Sequence, residues 1–239
     1  MQRYFSNKKE KDIIYINEED IHHLKNVMRK KENDEIEIVY NEKLYIALLN
    51  KDYKTARVKE KKKQEDNTLN VSLLVPILNE DKMSFIIEKS TELGVKEITP
   101  INLTRNKFKI NKEKEKKKYL RWQKIAKEAS EQSKRLTMPK INEIINIEDI
   151  IPKNVNILCS TDNKNVKKLN QVLNNIKDND IIQVVFGPEG GFTSKEEEYL
   201  ENIGFIKTTF GRRILRTETV PLFILSILNY KELEVKKWV

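Results

Sequence analysis

The chain has 239 residues, of which 35% are charged and 38% hydrophobic, and it carries a formal net charge of +9. This length supports one large domain or two modest ones, and the basic charge favours a polyanionic partner, either nucleic acid or an anionic membrane face. Cys159 is the only cysteine, so an internal disulfide and a cysteine-built metal cluster are excluded, and no apolar stretch is long enough to span a bilayer.

Residues 1 to about 70 predict a small β-rich unit. Strands are expected over 3–5, 35–40 and 43–49. One helix is expected over 18–30, because its apolar residues recur at helical spacing. The lysine-rich stretch 59–67 then predicts the boundary, so the chain divides into domains 1–70 and 71–239.

From residue 71 onward the pattern alternates between strand and helix. Strands are expected over 71–78, 97–103, 155–160, 181–187 and 205–211. Helices are expected over 82–93, 114–135, 166–176, 194–202 and 217–231. This alternation predicts an α/β domain with a mostly parallel sheet, in which ligands bind at the carboxyl ends of the strands.

Glycine is concentrated in one region of the chain. Five of the six glycines lie between 187 and 211, and the sixth is Gly94. Glycine supplies a positive φ or allows close backbone approach. The segment VVFGPEGGF, 184–192, follows a predicted buried strand and precedes a helix capped by Thr193 with Glu196 or Ser194 with Glu197. It lacks both the Gly-Lys-Ser/Thr of a phosphate loop and the GxGxxG of a dinucleotide fold. A ligand-binding bend is therefore favoured over a simple tight turn.

A second unusual segment is FGRRILRTET, 210–219. Three of the nine arginines of the chain fall between Gly211 and Arg216, and the apolar pair Ile214 and Leu215 lies between them. This arrangement predicts a loop folded against another part of the protein, followed by an apolar helix capped by Thr217. The alternative is an ordinary loop whose arginines pair with surface carboxylates.

Together, GPEGGF and GxRILRTET resemble the paired signature of the 16S ribosomal RNA uridine N3-methyltransferases of the SPOUT (trefoil-knot) superfamily. Further matches at 3–5, 22–29, 81–100 and 121–135 extend the resemblance over essentially the whole chain. It implies a deep trefoil knot in the C-terminal domain and a PUA-like N-terminal domain. It also implies a homodimer whose active site lies near the subunit interface, formed by helix 217–231 unless that helix belongs to the core.

The resemblance further implies the reaction. The methyl donor is S-adenosylmethionine, and the acceptor is N3 of a uridine in 16S rRNA of the small ribosomal subunit, uridine 1498 by family expectation. No metal and no membrane partner are expected. Because the first residues contain no apolar signal region, the expected location is cytoplasmic.

Residue roles follow from the same resemblance. Contacts to the methyl donor are expected from Ser160, Gly187, Pro188, Glu189, Gly190, Gly191, Phe210, Gly211, Ile214, Leu215 and Thr217. Arg216, and next Arg105, are the candidates that stabilise negative charge on the uracil, and Glu218 is the candidate proton acceptor unless it caps the helix or pairs with arginine. RNA contacts are expected from Arg3, His23, Arg29 and Arg135.

Two other functions are compatible with the residues. One is a non-catalytic RNA-binding factor for ribosome assembly that has the same fold without turnover. The other is a nucleotide-dependent enzyme of the doubly wound type, which predicts binding of ATP or NAD. Intact GPEGG and RILRTET segments favour the methyltransferase over both.

Overall fold

The computed structural model describes residues 2–65, 68–108, 110–161, 166–177 and 179–235. Tertiary contacts divide the chain into two compact units. Unit 1 comprises Met1–Asn67 and Lys127–Met138, and unit 2 comprises Thr68–Ala126 and Pro139–Val239. The association of 127–138 with the N-terminal residues cannot be read from local periodicity, because it depends on contacts between segments far apart in sequence.

Unit 1 contains a six-stranded sheet. Its strands are β1 (Arg3–Phe5), β2 (Lys9–Glu10), β3 (Ile13–Tyr15), β4 (Glu35–Tyr40), β5 (Lys43–Leu49) and β6 (Thr55–Lys62). The spatial order is β1-β4-β5-β6-β3-β2, with β1 parallel to β4 and the other pairs antiparallel. Helix α1 (Glu18–His22) continues as a π-helical turn over His23–Val27. The prediction of a β-rich N-terminal unit is confirmed.

The first residues of the lysine-rich stretch 59–67 belong to β6, and the N-terminal segment of unit 1 ends at Asn67, the last residue of this stretch. The backbone of β6 pairs with β5 on one side and β3 on the other. The side chains of Lys59, Lys61 and Lys62 are exposed. A lysine-rich sequence can thus form a strand when the sheet satisfies its backbone and water surrounds its charges.

Unit 2 contains an eight-stranded sheet. Its strands are β7 (Val71–Pro76), β8 (Glu97–Asn102), β9 (Lys140–Ile141), β10 (Ile145–Asn146), β11 (Val155–Cys159), β12 (Lys167–Lys168), β13 (Ile182–Phe186) and β14 (Ile206–Thr209). The order is β10-β8-β7-β13-β11-β14-β12, with β9 also paired to β8, and the described pairs are all parallel. This confirms the predicted parallel sheet.

The remaining helices are α2 (Glu80–Glu92), α3 (Lys112–Gln132), α4 (Leu169–Leu173), α5 (Ser194–Asn202) and α6 (Thr219–Val235). The helix predicted over 166–176 is shorter than expected, because Lys167–Lys168 pairs with β14 as β12. Helix α6 begins two residues after its predicted start at Thr217. Among the described residues, no helix has the length and apolar character needed to cross a membrane.

The core of unit 2 lies on both faces of its sheet. Val184 and Phe186 of β13 pack into a cluster with residues of α2, α3 and α6, whereas Val185 packs into a second cluster with Leu200 of α5. These side chains are almost completely buried, as expected for a parallel strand covered on both faces. Since β13, β11 and β14 are adjacent and parallel, their carboxyl ends meet at one edge of the sheet.

Candidate functional site

A cavity of about 780 Å³ opens where β11 and β13 end. An adjoining cavity of about 190 Å³ lies where β11 and β14 end. The larger cavity is lined by the predicted residues Gly187, Pro188, Glu189, Gly190, Gly191, Arg105, Arg216, Thr217 and Glu218. The smaller is lined by Ser160, Phe210 and Gly211, and both are lined by Ile214 and Leu215. The fold therefore brings together all the residues predicted for cofactor contact and catalysis.

The first bend, 187–191, requires glycine for two separate reasons. Gly191 has a φ of +66°, and its amide donates to the Pro188 carbonyl oxygen at 2.8 Å. A Cβ added at Gly187 would lie 3.0 Å from the Cα of Gly191, which is tighter than nearly all real Cβ contacts. The cluster of glycines recognised in the sequence thus corresponds to a tightly folded backbone at the cavity wall.

Arg105 holds the first bend in place. Its Nη1 donates to the carbonyl oxygens of Gly190 at 2.8 Å and Phe192 at 2.9 Å. The side chain is exposed and lies at the cavity, but one terminal nitrogen is committed to the backbone of the bend. This geometry favours a positioning task for Arg105, whereas the sequence suggested it as the second candidate for charge stabilisation.

The start of α5 is fixed by the predicted capping box. Thr193 Oγ1 accepts from the amide of Glu196, and the Glu196 carboxylate accepts from the amides of Thr193 and Thr104, each at 2.7 Å. Burial alone would raise the pKa of the Glu196 carboxyl, but these hydrogen bonds outweigh it and lower the pKa below its usual value. Glu196 therefore stays ionised and joins the loop after β8 to the helix after the first bend.

The second bend, 211–217, contacts the first one directly. Thr217 Oγ1 donates to the Gly187 carbonyl oxygen at 3.1 Å. Ile214 is 80% exposed at the rim of both cavities. Phe210 stacks on Phe223 of α6 with ring centroids 5.6 Å apart. The start of the second bend is thus packed on the neighbouring helix.

Lys82 is a cavity residue that the sequence interpretation missed. From the first turn of α2, its Nζ lies 2.7 Å from Glu189 Oε1 and 3.4 Å from Glu218 Oε2. The hydrogen bond to Glu189 raises the pKa of Lys82, and Lys82 in turn lowers the pKa of Glu189. Lys82 therefore joins a carboxylate beside each bend, and its only sequence signal was its place in the resembling segment 81–100.

Arg216 and Glu218 differ in how much of their polar surface is already used. Glu218 is one-fifth exposed and pairs with Lys82 through Oε2, which accepts no hydrogen bond from the described residues. Arg216 is exposed at the cavity, and none of the hydrogen bonds or ion pairs found among the described residues involves its side chain. Its guanidinium donors are therefore free for a ligand.

Arg3 and Arg135, predicted to contact RNA, are buried inside unit 1. Arg3 is 2% exposed, and its guanidinium donates to Glu37, to Gln64 and to the carbonyl oxygens of Lys134 and Arg135. Arg135 is 7% exposed. The prediction is corrected for both residues, because Arg3 uses its donors to tie β1 to the segment 134–135 and neither side chain offers surface to RNA.

His23 and Arg29, the other predicted RNA contacts, lie nearer the surface of unit 1. His23 is half-buried, with Nδ1 3.0 Å from the Tyr4 hydroxyl, and Arg29 is exposed with a φ of 50°. Near them is an open groove of about 540 Å³ between α1 and β3. We call it the unit 1 groove; it is lined by Tyr15, Ile16, Glu18, Ile21, His22, Lys25, Asn26 and Lys54. Among the described residues, no cluster of three or more potential metal ligands is found.

Comparison with known proteins gives consistent matches along the chain. The family described as RNA methyltransferase domain matches residues 64–229, and the family described as RNA methyltransferase PUA domain matches residues 16–59. Ribosomal RNA small subunit methyltransferase E of Bacillus subtilis is 32% identical, over 97% of this chain and 97% of its own length. The protein of that name from Mesomycoplasma hyopneumoniae is 34% identical, over 95% of this chain and 98% of its own.

A solved structure shows the same architecture. The ribosomal RNA small subunit methyltransferase E from Neisseria gonorrhoeae, bound to S-adenosyl methionine, is 29% identical with a TM-score of 0.84. The similarity covers 97% of this chain and 98% of that one. The likeness therefore includes both units as well as the region of the two cavities.

Proposed function

Because the chain belongs to the RNA methyltransferase family, we propose that it transfers a methyl group from S-adenosylmethionine to N3 of a uridine in the 16S rRNA of the small ribosomal subunit. The observation that carries the proposal is the Thr217–Gly187 hydrogen bond, which joins the two signature bends at one cavity. Relatives named for small-subunit rRNA methylation support the class of substrate. The choice of uridine N3 rests on the motif resemblance.

The residues at the cavity suit S-adenosylmethionine. A volume of about 780 Å³ is in the range of small-molecule sites. A side chain at position 187 would crowd the backbone of Gly191 at the cavity wall. Leu215 and Val220 offer apolar surface for an adenine ring. Backbone groups of both bends would hold the adenosine, with Ser160 and Phe210 at its edge. When bound, this cofactor supplies an activated methyl group on a sulfonium.

The chain's own residues contribute orientation and charge. Arg216 is proposed to stabilise the negative charge that develops on the uracil oxygens as N3 loses its proton, because its donors are free and exposed at the cavity. Glu218 is proposed as the proton acceptor. Because Lys82 lies closer to Glu189 than to Glu218, the carboxylate of Glu218 is more available than that of Glu189 to accept a proton. Arg105 keeps the first bend in place, and holding the two reactants together provides much of the rate.

RNA binding is proposed for the surface of unit 1. Arg29 stays a candidate because it is exposed, and His23 because it is partly accessible. The unit 1 groove adds Lys25 and Lys54, whose exposed ammonium groups form no ion pair among the described residues. Exposed lysines along a groove suit the phosphates of a single-stranded nucleic acid.

The motif resemblance is the basis for proposing a trefoil knot in the C-terminal domain. A homodimer is proposed through the outer side of α6. One side of α6 is core, since Ile224 and Leu225 are completely buried. Phe223 and Tyr230 are exposed, and Phe85 is exposed on α2, which packs against α6. Sedimentation should show that Phe223→Glu dissociates the dimer while Leu120→Glu, an exposed position on α3, leaves it intact.

The decisive experiment is tritium transfer from labelled S-adenosylmethionine to small-subunit RNA or particles taken from cells that lack the protein. Incorporation, followed by mass mapping of the product to N3-methyluridine, supports the proposal. Methyl-donor binding without any incorporation would favour the non-catalytic assembly factor. Calorimetry that detects ATP or NAD but no S-adenosylmethionine would favour the nucleotide-dependent enzyme.

A further inference from the structure

Lys207 of β14 is a charged side chain in an almost fully buried position. It is 8% exposed, and its Nζ lies 2.7 Å from Oε2 of Glu197, which is 18% exposed. Removing a charge from water is costly unless a partner of opposite sign is close. The ion pair therefore gives each of these poorly solvated charges a partner of opposite sign.

Glu197 connects this ion pair to the loop that follows β11. Its other oxygen, Oε1, accepts a hydrogen bond of 2.6 Å from Ser160 Oγ. Ser160 directly follows β11, Glu197 lies on α5 and Lys207 on β14, so the three side chains link three elements. Glu197 lines the larger cavity and Ser160 the smaller one.

The first bend and the start of the loop after β11 are held in different ways. The first bend has its glycines and the two hydrogen bonds from Arg105. Residues 159–166 contain no glycine, and at the start of this loop the Ser160 hydroxyl donates to Glu197 on α5. Glu197 is available to anchor it because Glu196 already completes the helix cap. The described start of this loop is thus held by a hydrogen bond to a carboxylate, the stronger kind of side-chain hydrogen bond.

We propose that Lys207 and Glu197 are positioning residues that hold Ser160 at the cavity edge and thereby set the affinity for the methyl donor. The inference rests on the proposed function, since it assumes that S-adenosylmethionine occupies these cavities. Lys207 orients the carboxylate of Glu197, and Glu197 fixes the hydroxyl of Ser160. Neither residue needs to touch the reacting atoms.

The test compares Lys207→Met, Glu197→Gln and Ser160→Ala in the full-length protein. Isothermal titration with S-adenosylmethionine should show Kd raised about tenfold or more in the first two, the loss expected for a charge-assisted bond. The kcat at saturating cofactor and the KM for RNA should stay within about twofold of wild type, because these substitutions displace only the loop after β11. Lys207→Arg should restore affinity because it keeps the buried cation.

Lys153→Met is the matched control. Lys153 pairs with Glu97 at 3.9 Å, near the amino ends of β8 and β11 and so at the opposite edge of the sheet. It should leave the Kd for the cofactor unchanged. Ser160→Ala removes the hydroxyl that donates to Glu197 and leaves the Lys207–Glu197 ion pair in place, so a raised Kd in this variant supports the inference even if Lys207→Met fails to fold.

Two results would overturn the inference. One is wild-type cofactor affinity in Glu197→Gln and Ser160→Ala. The other is a parallel loss of cofactor affinity, kcat and RNA affinity together with a lowered Tm, which would make the pair purely structural. If the wild-type protein itself bound no S-adenosylmethionine, the proposed function would fail as well, and the two failures are distinguished by that measurement.

Discussion

The Thr217 hydroxyl donates a hydrogen bond of 3.1 Å to the carbonyl oxygen of Gly187, 30 residues earlier in the chain. Thr217 is buried, so water competes little for this bond. Because Gly187 begins the first bend and Thr217 ends the second, a single side chain holds together the two segments that carry the sequence signature. The shape of the larger cavity therefore depends on this hydrogen bond between the two bends.

Thr217→Val should weaken cofactor binding. The substitution keeps the shape but leaves the Gly187 carbonyl without its donor, a loss of about 1 kcal/mol or about fivefold in Kd. Titration with S-adenosylmethionine measures the effect. Thr219→Val, at the exposed first residue of α6, is the control and should bind as wild type. Equal affinities in the two variants would mean that this bond does not shape the site.

Arg216→Ala should retain the fold and cofactor binding but lose about 100-fold or more in kcat, the scale for removing a donor aimed at developing negative charge. Arg213→Ala in the same loop lines only the smaller cavity and should turn over nearly normally. Tritium incorporation at saturating cofactor compares the two. Near-normal turnover by Arg216→Ala would remove this residue from the chemistry.

The double substitution Lys25→Ala/Lys54→Ala should weaken RNA binding and reduce its salt dependence. If both lysines contact phosphates, the slope of log affinity against log salt should fall by about 1.4, from about 0.7 per contact in single strands. Fluorescence anisotropy across a salt series measures the slope. Lys43→Ala/Lys51→Ala removes the same charge from exposed positions outside the unit 1 groove. A similar slope change in both double variants would argue against a specific groove.

Glu131 predicts a pH dependence of stability. Burial, and next to it the charge of Asp20, raise the pKa of Glu131 to about 8 against the opposing effect of Lys127. The folded protein thus binds this proton more tightly than the unfolded chain. The resulting stabilisation is complete below the ordinary carboxyl pKa of about 4.5 and is lost as pH rises towards about 8.

The free energy of unfolding should therefore fall between about pH 5 and about pH 8, by at most about 1.4 kcal/mol per pH unit for one proton. Glu131→Gln should flatten this dependence, since the amide resembles the neutral acid. Glu128→Gln, at an exposed position on α3, should not change it. Denaturant unfolding at several pH values gives the comparison, and an unchanged slope in Glu131→Gln would contradict the assignment.

Local patterns were sufficient for much of the fold. The strands Glu35–Tyr40 and Lys43–Leu49 and the helix Ser194–Asn202 coincide with the segments read from apolar spacing and from the Thr193 capping box. Gly191 was recognisable because glycine is rare elsewhere and the turn needs a positive φ. Such features depend on neighbours within a few residues, so the sequence alone specifies them.

Tertiary structure decided the tasks of individual side chains. Arg3 and Arg29 look equally suited to RNA in the sequence, but only the fold buries the first against Glu37 and exposes the second. Lys82 and Lys207 are two lysines among many until α2 and β14 bring each beside a carboxylate at the cavities. Composition and the spacing of apolar residues were enough to predict a basic α/β protein with bends at its strand ends. Which charges are solvated and which are paired depends on residues far apart in the chain, and only folding brings those together.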